Sequence, residues 1–405
     1  MRILWVKVDG LWPLNSGGRL RSLHMIAELT RRHRVTVVTA HGPQDDAAGL
    51  AARLAACERV ISLPYAAPRH GSARFAYALV RSWLSPLPVH IRKWRSPAVR
   101  KEVTRLLGTE PFDLCVADFL ISTPNVPLDG SVATVMFAHN VEHMIWKRLR
   151  QVESRWWRRA LLELEWRKMH RYEARTCMRL PLTIAVSEAD RSVLATHAPG
   201  ARVCAVPTGV DTAYFAPNGS KEQSGALVFT GAMDWFPNED GIAHFVEAVF
   251  PSIREAVPDA TLTVVGRNPG PRVQRLAAVP GVHITGTVND VRPYVARGAV
   301  YVVPLRVGGG TRLKIFEALA MGKAVVSSTV GAEGLPLTPG THFVQADDPA
   351  QFANAVVALL RDPARRRALG SAGRSLVEQR YSWAHVAREF EARCAEVREG
   401  SEQPR

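Results

Sequence analysis

Val303-Pro-Leu-Arg-Val-Gly-Gly-Gly-Thr-Arg-Leu-Lys-Ile-Phe-Glu-Ala-Leu-Ala-Met-Gly-Lys-Ala-Val-Val-Ser-Ser328 reads as strand, glycine-rich turn, helix, glycine stop and strand. Consecutive glycines at Gly308, Gly309 and Gly310 let a backbone come close to a ligand. The helix start that follows offers free N–H groups and the positive end of its dipole. Thr311 and Leu313 flank Arg312, and Lys314 adds a second cation at the same point. Such a turn suits an anion of the diphosphate kind. Glu317 follows on the first turns, where a carboxylate can accept hydrogen bonds from sugar hydroxyls. A helix-packing turn with solvated charges is the plainer alternative.

The same alternation extends outward in both directions. Ala226–Thr230, Thr261–Val265, Val282–Thr285, Ala299–Val303 and Ala324–Ser328 are short, β-rich runs separated by helical stretches. An earlier series comprises Met1–Val8, Val35–Thr39, Leu114–Ala117, Ala133–Ala138 and Leu182–Val186. Near-continuous apolar strands with helices between them mark parallel sheets covered on both faces. The expected class is therefore α/β, with two doubly wound Rossmann-like domains facing across a cleft. The turn-rich stretch Val206 to Pro217 is the natural hinge. Residues 1–205 are expected to form the first domain, 206–380 the second, and 381–405 a helix with a polar tail. A chain of 405 residues is long enough for two cores.

Composition narrows the class further. Hydrophobic content of 47% and charged content of 22% are ordinary for a globular protein. The five cysteines are scattered without CxxC spacing, which argues against a disulfide framework or a zinc site and for a reducing, cytoplasmic setting. Met1 to Asp9 carries charges through its apolar run and reads as a buried strand, not a signal peptide. Nothing reaches the roughly 18 apolar residues of a membrane span. The net charge of +15 favours an anionic partner or reflects an arginine-rich, GC-biased composition. From Trp146 to Leu180 the pattern is helical and dense in Arg and Trp. Interleaved aromatics and cations suit an anionic membrane surface, with peripheral attachment at its inner face; alternatively, these tryptophans pack on the first domain. No nucleic-acid motif accompanies the stretch, so nucleic acid is not an expected partner.

Two features of the first half can face a ligand. Asn15-Ser-Gly-Gly18 follows the first strand and precedes a helix expected near Arg19, so Gly17 and Gly18 offer a second anion-facing turn or a plain strand–helix connection. The GxGxxG fingerprint is absent, and no dinucleotide cofactor is expected. His139 ends a strand where cleft residues belong in open α/β sheets. Glu142 either orients it or belongs to a helix cap.

The Val303–Ser328 segment resembles the donor site of family 4 glycosyltransferases of the GT-B fold, in the branch that serves bacterial polysaccharide biosynthesis. The resemblance extends to Thr230-Gly-Ala-Met-Asp-Trp-Phe-Pro-Asn-Glu-Asp-Gly241, Val264-Val-Gly266, Gly286-Thr-Val-Asn-Asp-Val-Arg-Pro-Tyr294 and Val330-Gly-Ala-Glu-Gly-Leu335. Matches in the first half are fewer: Asn15 to Arg21, His139 to Glu142 and Val186-Ser187. The resemblance implies retaining, metal-independent transfer from a nucleotide-diphosphate sugar to a saccharide or polyprenyl-linked acceptor, without a cofactor. It implies that His139 faces the donor sugar, that Gly231 approaches the donor, and that Thr287 and Val288 lie against the base. It also implies a final helix returning to the first domain.

Two departures from that family pattern stand out. The wider family frames the donor with a spaced pair of glutamates; the second matches Glu317 and the first falls on Gly309. The family's Arg and Lys after the first strand of this half are also missing, with Met233, Asp234, Glu239 and Asp240 nearby. Buried phosphates without cations are costly, so Arg312 and Lys314 are expected to supply the charge. With His139 and Glu317, they are the expected catalytic set. A non-catalytic nucleotide-sugar-binding protein, a nucleotide-sugar epimerase of the same fold and a basic nucleic-acid-binding protein are the competing readings.

Overall fold

The computed structural model describes residues 1–13, 16–43, 45–68, 71–130, 132–307 and 312–402. The chain divides into two compact units, Met1–Pro207 together with the chain from Val386, and Thr208–His385.

The first unit is built on a parallel sheet of seven strands: β1 Arg2–Lys7, β2 Arg34–His41, β3 Arg59–Pro64, β4 Leu114–Asp118, β5 Thr134–Phe137, β6 Leu182–Ala185 and β7 Val203–Ala205. Its order is β3-β2-β1-β4-β5-β6-β7. Strand β1 therefore pairs with β2 on one side and with β4 on the other, Ile3–Val6 lying beside Leu114–Ala117. The second unit has six parallel strands: β8 Ala226–Thr230, β9 Thr261–Val265, β10 Val282–Gly286, β11 Val300–Val303, β12 Ala324–Ser327 and β13 Val344–Gln345. Here the order is β10-β9-β8-β11-β12-β13. In each sheet the winding reverses once, between β1 and β4 and between β8 and β11. Helices leave in opposite directions at such a reversal and open a crevice at the carboxyl ends of the strands.

Central strands β4, β5, β8, β11 and β12 are buried at every position, as two helix-covered faces require. Their continuous apolar runs made them visible in sequence. Three strands went unanticipated, and each lies at or near a margin. Strand β3 is only partly buried and mixes Arg59 and Ser62 into its run, β7 has three residues, and β13 has two. The first helix, Gly17–Leu29, starts two residues earlier than expected, because Ser16 caps it by accepting from the Arg19 N–H. The final helix, Trp383–Glu402, sets Phe390 against Trp5 and Phe137, with ring centroids 5.8 and 5.1 Å away.

The Trp-rich stretch forms two helices, Glu142–Val152 and Trp156–Arg179. Trp146 and Trp166 are half-buried, whereas Trp156 is 81% and Trp157 46% exposed. Among the described residues no helix is long and apolar enough to cross a membrane.

One contact fixes the loop after β8. A Cβ added to Gly266, just beyond β9, would stand 1.7 Å from the Gly231 carbonyl oxygen. Gly266→Ala is expected to destabilise the second unit by about 1–3 kcal/mol through overpacking, read as a lower chemical-denaturation midpoint; an unchanged midpoint would show that the loop position is not imposed by this contact.

Candidate functional site

In the second unit the crevice between β8 and β11 is walled by the first turns of two helices, Phe236–His244 and Leu313–Ala320. Each follows one of the strands flanking the reversal, so their N-termini converge where an anion is favoured. Lys314 and Asn238 join them: the Lys314 ammonium donates to Asn238 Oδ1 at 2.7 Å and sits 4.2 Å from the centre of the Phe229 ring. The Asn238 amide in turn donates to the Ala232 carbonyl at 2.9 Å, bracing the loop after β8. Gly231 is the point of closest approach. A Cβ there would come within 2.8 Å of Lys314 Nζ and 2.6 Å of Asn238 Nδ2, so only glycine leaves room for both.

Glu317 lies one turn behind Lys314 on the same helix face. Burial pushes the Lys314 ammonium down to about 7, with Glu317 opposing the shift and Arg312 adding to it. Burial likewise pushes Glu317 up to about 7, against the pull of Lys314. The cause is shared: both groups are partly shielded from water, and neither fully compensates the other. Among the described residues no carboxylate bonds directly to Lys314, whose close partner is a neutral amide.

Arg312 is placed differently from Lys314. It precedes the helix as its N-cap residue, is 3% exposed, and reaches the Val330 carbonyl at 3.4 Å through Nη2. Burial lowers its pKa while Glu333 opposes. Leu313 packs partly against the core of this unit, and Val288 does the same after β10, next to exposed Thr287. Gly308, Gly309, Gly310 and Thr311 lie outside the described residues. A cation that sequence reading did not single out precedes them in the chain: Arg306 grips Asp240 through two bonds of 2.7 and 3.1 Å.

In the first unit the reversal between β1 and β4 carries a buried charge cluster. Asp118, at the end of β4, is fully buried and accepts from Trp5 Nε1 and His139 Nε2, each at 2.8 Å. Lys7, also fully buried, lies 3.7 Å from Asp118 and 2.9 Å from Asp9. Burial alone would raise the Asp118 pKa, but Lys7 and His139 outweigh it and hold it at about 2. Burial drives His139 down to about 3 against the pull of Asp118. The ring is thus neutral, with its proton on Nε2 toward Asp118 and its Nδ1 free to accept. Asp118, and not Glu142, orients this histidine. Glu142 instead opens the helix Glu142–Val152, its N–H donating to Glu173 at 2.8 Å.

Phe119 completes the cluster. It stacks on His139 at 3.8 Å, lies under Lys7 Nζ at 4.0 Å, and carries a φ of 71°. A left-handed backbone at a bulky residue costs about 1–3 kcal/mol and is held by its surroundings. Gly18 leaves room for this ring, since a Cβ there would stand 2.5 Å from it, whereas Gly17 faces open space. Asn15 lies outside the described residues. Arg21, buried over the Phe137 ring, donates to the Val206 carbonyl at 2.6 Å. Sequence reading missed Asn238, Asp118 and Arg21. Only Lys7 left a signal, as a charge inside an apolar strand.

Comparison with known proteins agrees with this architecture. Residues 224–362 match the family model described as glycosyl transferases group 1, and residues 15–214 match the model described as glycosyltransferase family 4. Together these matches take in most of the chain, which belongs to the family 4 glycosyltransferases with the GT-B fold. A Corynebacterium glutamicum protein, the GDP-mannose-dependent monoacylated alpha-(1-6)-phosphatidylinositol monomannoside mannosyltransferase, is 29% identical over 199 residues, 44% of this chain and 52% of that protein. The chain thus spans about half the length of that relative. Sucrose-phosphate synthase from Thermosynechococcus elongatus superposes with a TM-score of 0.68 at 18% identity, over 98% of this chain and 99% of that one. Anabaena Alr3699/HepE in complex with UDP and glucose gives 0.64 at 15% identity, over 97% and 99%. These two likenesses are of fold.

Two consequences of the charge cluster can be measured. Lys7→Met strands the Asp118 carboxylate in the core and is expected to cost about 3–5 kcal/mol in urea unfolding, with Lys7→Met/Asp118→Asn recovering part of it; a single-variant loss under about 1 kcal/mol would contradict the pairing. The depressed His139 also sets an acid response. An unfolded histidine takes a proton near 6.5, whereas folded His139 resists until about 3. The unfolded chain therefore binds more protons in that window, and stability falls as pH drops through it. His139→Asn should show a shallower loss between those values, and an identical slope would exclude His139 as a contributor.

Proposed function

We propose that this chain moves a sugar from a nucleotide-diphosphate donor to a saccharide or lipid-linked acceptor, with retention at the anomeric carbon, in cell-surface or exopolysaccharide synthesis. The observation that carries the reading is Lys314, at the sheet reversal, bonded to a neutral amide with Glu317 one turn behind. In this reading Lys314, Arg312 and the N–H groups of Gly308, Gly309, Gly310, Thr311 and Leu313 hold the diphosphate. Glu317 accepts from ribose hydroxyls, Gly231 gives backbone room, and Thr287 and Val288 border the base. In the first unit Gly17 and Gly18 offer an approach for phosphates or acceptor, and neutral His139 accepts a sugar hydroxyl at Nδ1.

The chemistry asks for stabilisation of a departing nucleoside diphosphate and of an oxocarbenium-like sugar. Fixed N–H groups and a cation aimed at the leaving phosphate supply most of the stabilisation in such a step. The acceptor then attacks from the face the phosphate leaves, and the leaving phosphate takes its proton. Lys314 and Arg312 carry the charge, so the reading calls for neither a metal at the donor nor a cofactor. The phosphatidylinositol mannoside in the relative's name supports a lipid-linked acceptor.

A membrane face fits that acceptor. Trp156 and Trp157 stand exposed among Arg155, Arg158 and Arg159. The helix Ala73–Trp83 exposes Tyr77, Val80 and Trp83, followed by Leu84 at 88%. Ser82 ties the two helices together, bonding Glu165 at 3.1 Å and Lys168 at 2.6 Å. Aromatic and basic side chains together favour an anionic headgroup layer.

Two experiments test this. In a thermal-shift panel of UDP-, GDP-, ADP- and dTDP-sugars, one donor should raise Tm by a few degrees at about 100 times its Kd, and Lys314→Met should abolish the rise. If no nucleotide sugar shifts Tm, the donor assignment fails; interconversion of a free nucleotide sugar without acceptor, seen by NMR, would mark an epimerase. In sedimentation with phosphatidylglycerol vesicles the protein should pellet and Trp156→Ala/Trp157→Ala should not. Equal pelleting of both would remove this face from the reading.

A further inference from the structure

We propose that His143, His170 and His197 form a binding site for a divalent transition metal, zinc by ligand chemistry, that pins together three helices of the first unit. The three residues come from separate helices, Glu142–Val152, Trp156–Arg179 and Glu188–His197. Their rings converge: His143 and His170 have centroids 5.1 Å apart, His143 and His197 4.2 Å, and His170 and His197 3.8 Å. One ring nitrogen from each lies within 4.8 Å of the other two. Three imidazoles with an open fourth position form a familiar zinc donor set.

The partners of these rings favour metal binding. Glu173 Oε2 stands 2.5 Å from His143 Nδ1, and the same carboxylate accepts the backbone N–H groups of Glu142 and His143 at 2.8 and 3.3 Å. A carboxylate engaged in this way is an acceptor, so the Nδ1 of His143 donates to it and Nε2 is the nitrogen left for a metal. His197 Nε2 lies 2.8 Å from the His170 carbonyl, which can only accept, so the Nδ1 lone pair of His197 is left. These are the two outer contacts, carboxylate and backbone carbonyl, that commonly fix the tautomer of a metal-bound histidine.

Geometry also says what must move. Zinc–nitrogen bonds of about 2.0–2.1 Å at tetrahedral angles put ligating nitrogens about 3.4 Å apart. The widest pair must therefore close, and ring rotation at partly exposed His170 and His197 supplies that movement while His143 stays anchored by Glu173. The helix bearing His143 follows His139 directly, so a bound ion would also stiffen the connection that leaves the strand end.

The test uses the full chain, freed of any affinity tag and stripped of metal. After dialysis against ZnCl2, elemental analysis should find about one zinc per chain, and Tm should rise. With CoCl2 the visible bands of tetrahedral cobalt should appear. His170→Ala and His197→Ala, chosen because neither ring is fully buried, should each weaken zinc binding by at least about tenfold and remove the cobalt bands. Zinc well below one per chain, or binding unchanged in both variants, would overturn the proposal and leave the cluster a packed imidazole stack.

Discussion

A lysine shielded from water at the reversal of a parallel sheet must be compensated, and the two units meet this demand in opposite ways for fully buried Lys7 and partly buried Lys314. Lys7 is matched permanently by Asp118 and Asp9, so its charge is neutralised within the fold. Lys314 has a neutral amide as its close partner and a carboxylate one turn away that is itself driven toward its protonated form. Lys7 ends β1 and Lys314 stands in the first turn of the helix that follows β11, each next to the reversal of its sheet. The first arrangement is complete and positions a neutral histidine. The second leaves its cation incompletely matched, and the activity proposed for the chain follows from that imbalance.

Glycine placement serves the same end. Gly231 lets the Lys314 and Asn238 side chains meet the loop after β8, and Gly266 lets that loop rest on the end of β9. In the first unit, Gly18 admits the Phe119 ring, whose left-handed backbone is held between His139 and Lys7. Strain at Phe119 sits beside the histidine at the crevice, where strained backbones are concentrated in functional sites.

How much of this could be read in the chain follows from how local each feature is. Interior strands such as Val300–Val303 were legible because two covered faces leave a continuous apolar run. Edge strand Arg59–Pro64 was not, since partial exposure admits Arg59 and Ser62. Lys314 and Glu317 stood out because glycines, cations and a carboxylate fall within one helix start. Asn238 could not be found that way, because its partnership arises only when helices from two separate strand–helix units converge. Asp118 behind His139, and the grouping of His143, His170 and His197, are likewise products of tertiary packing with no local pattern. The family resemblance placed His139 but carried no information on what holds it.

The most direct test of the central imbalance is proton uptake when a nucleotide sugar binds, measured by calorimetry at pH 8 in buffers of differing ionisation enthalpy. A nucleotide-diphosphate sugar has no group of its own titrating near that pH. Lys314, held near 7 in the free protein, is mostly neutral there, and a bound diphosphate would restore its charge. The account predicts uptake approaching about one proton per ligand, lost in Lys314→Met. Binding with no proton uptake would contradict it.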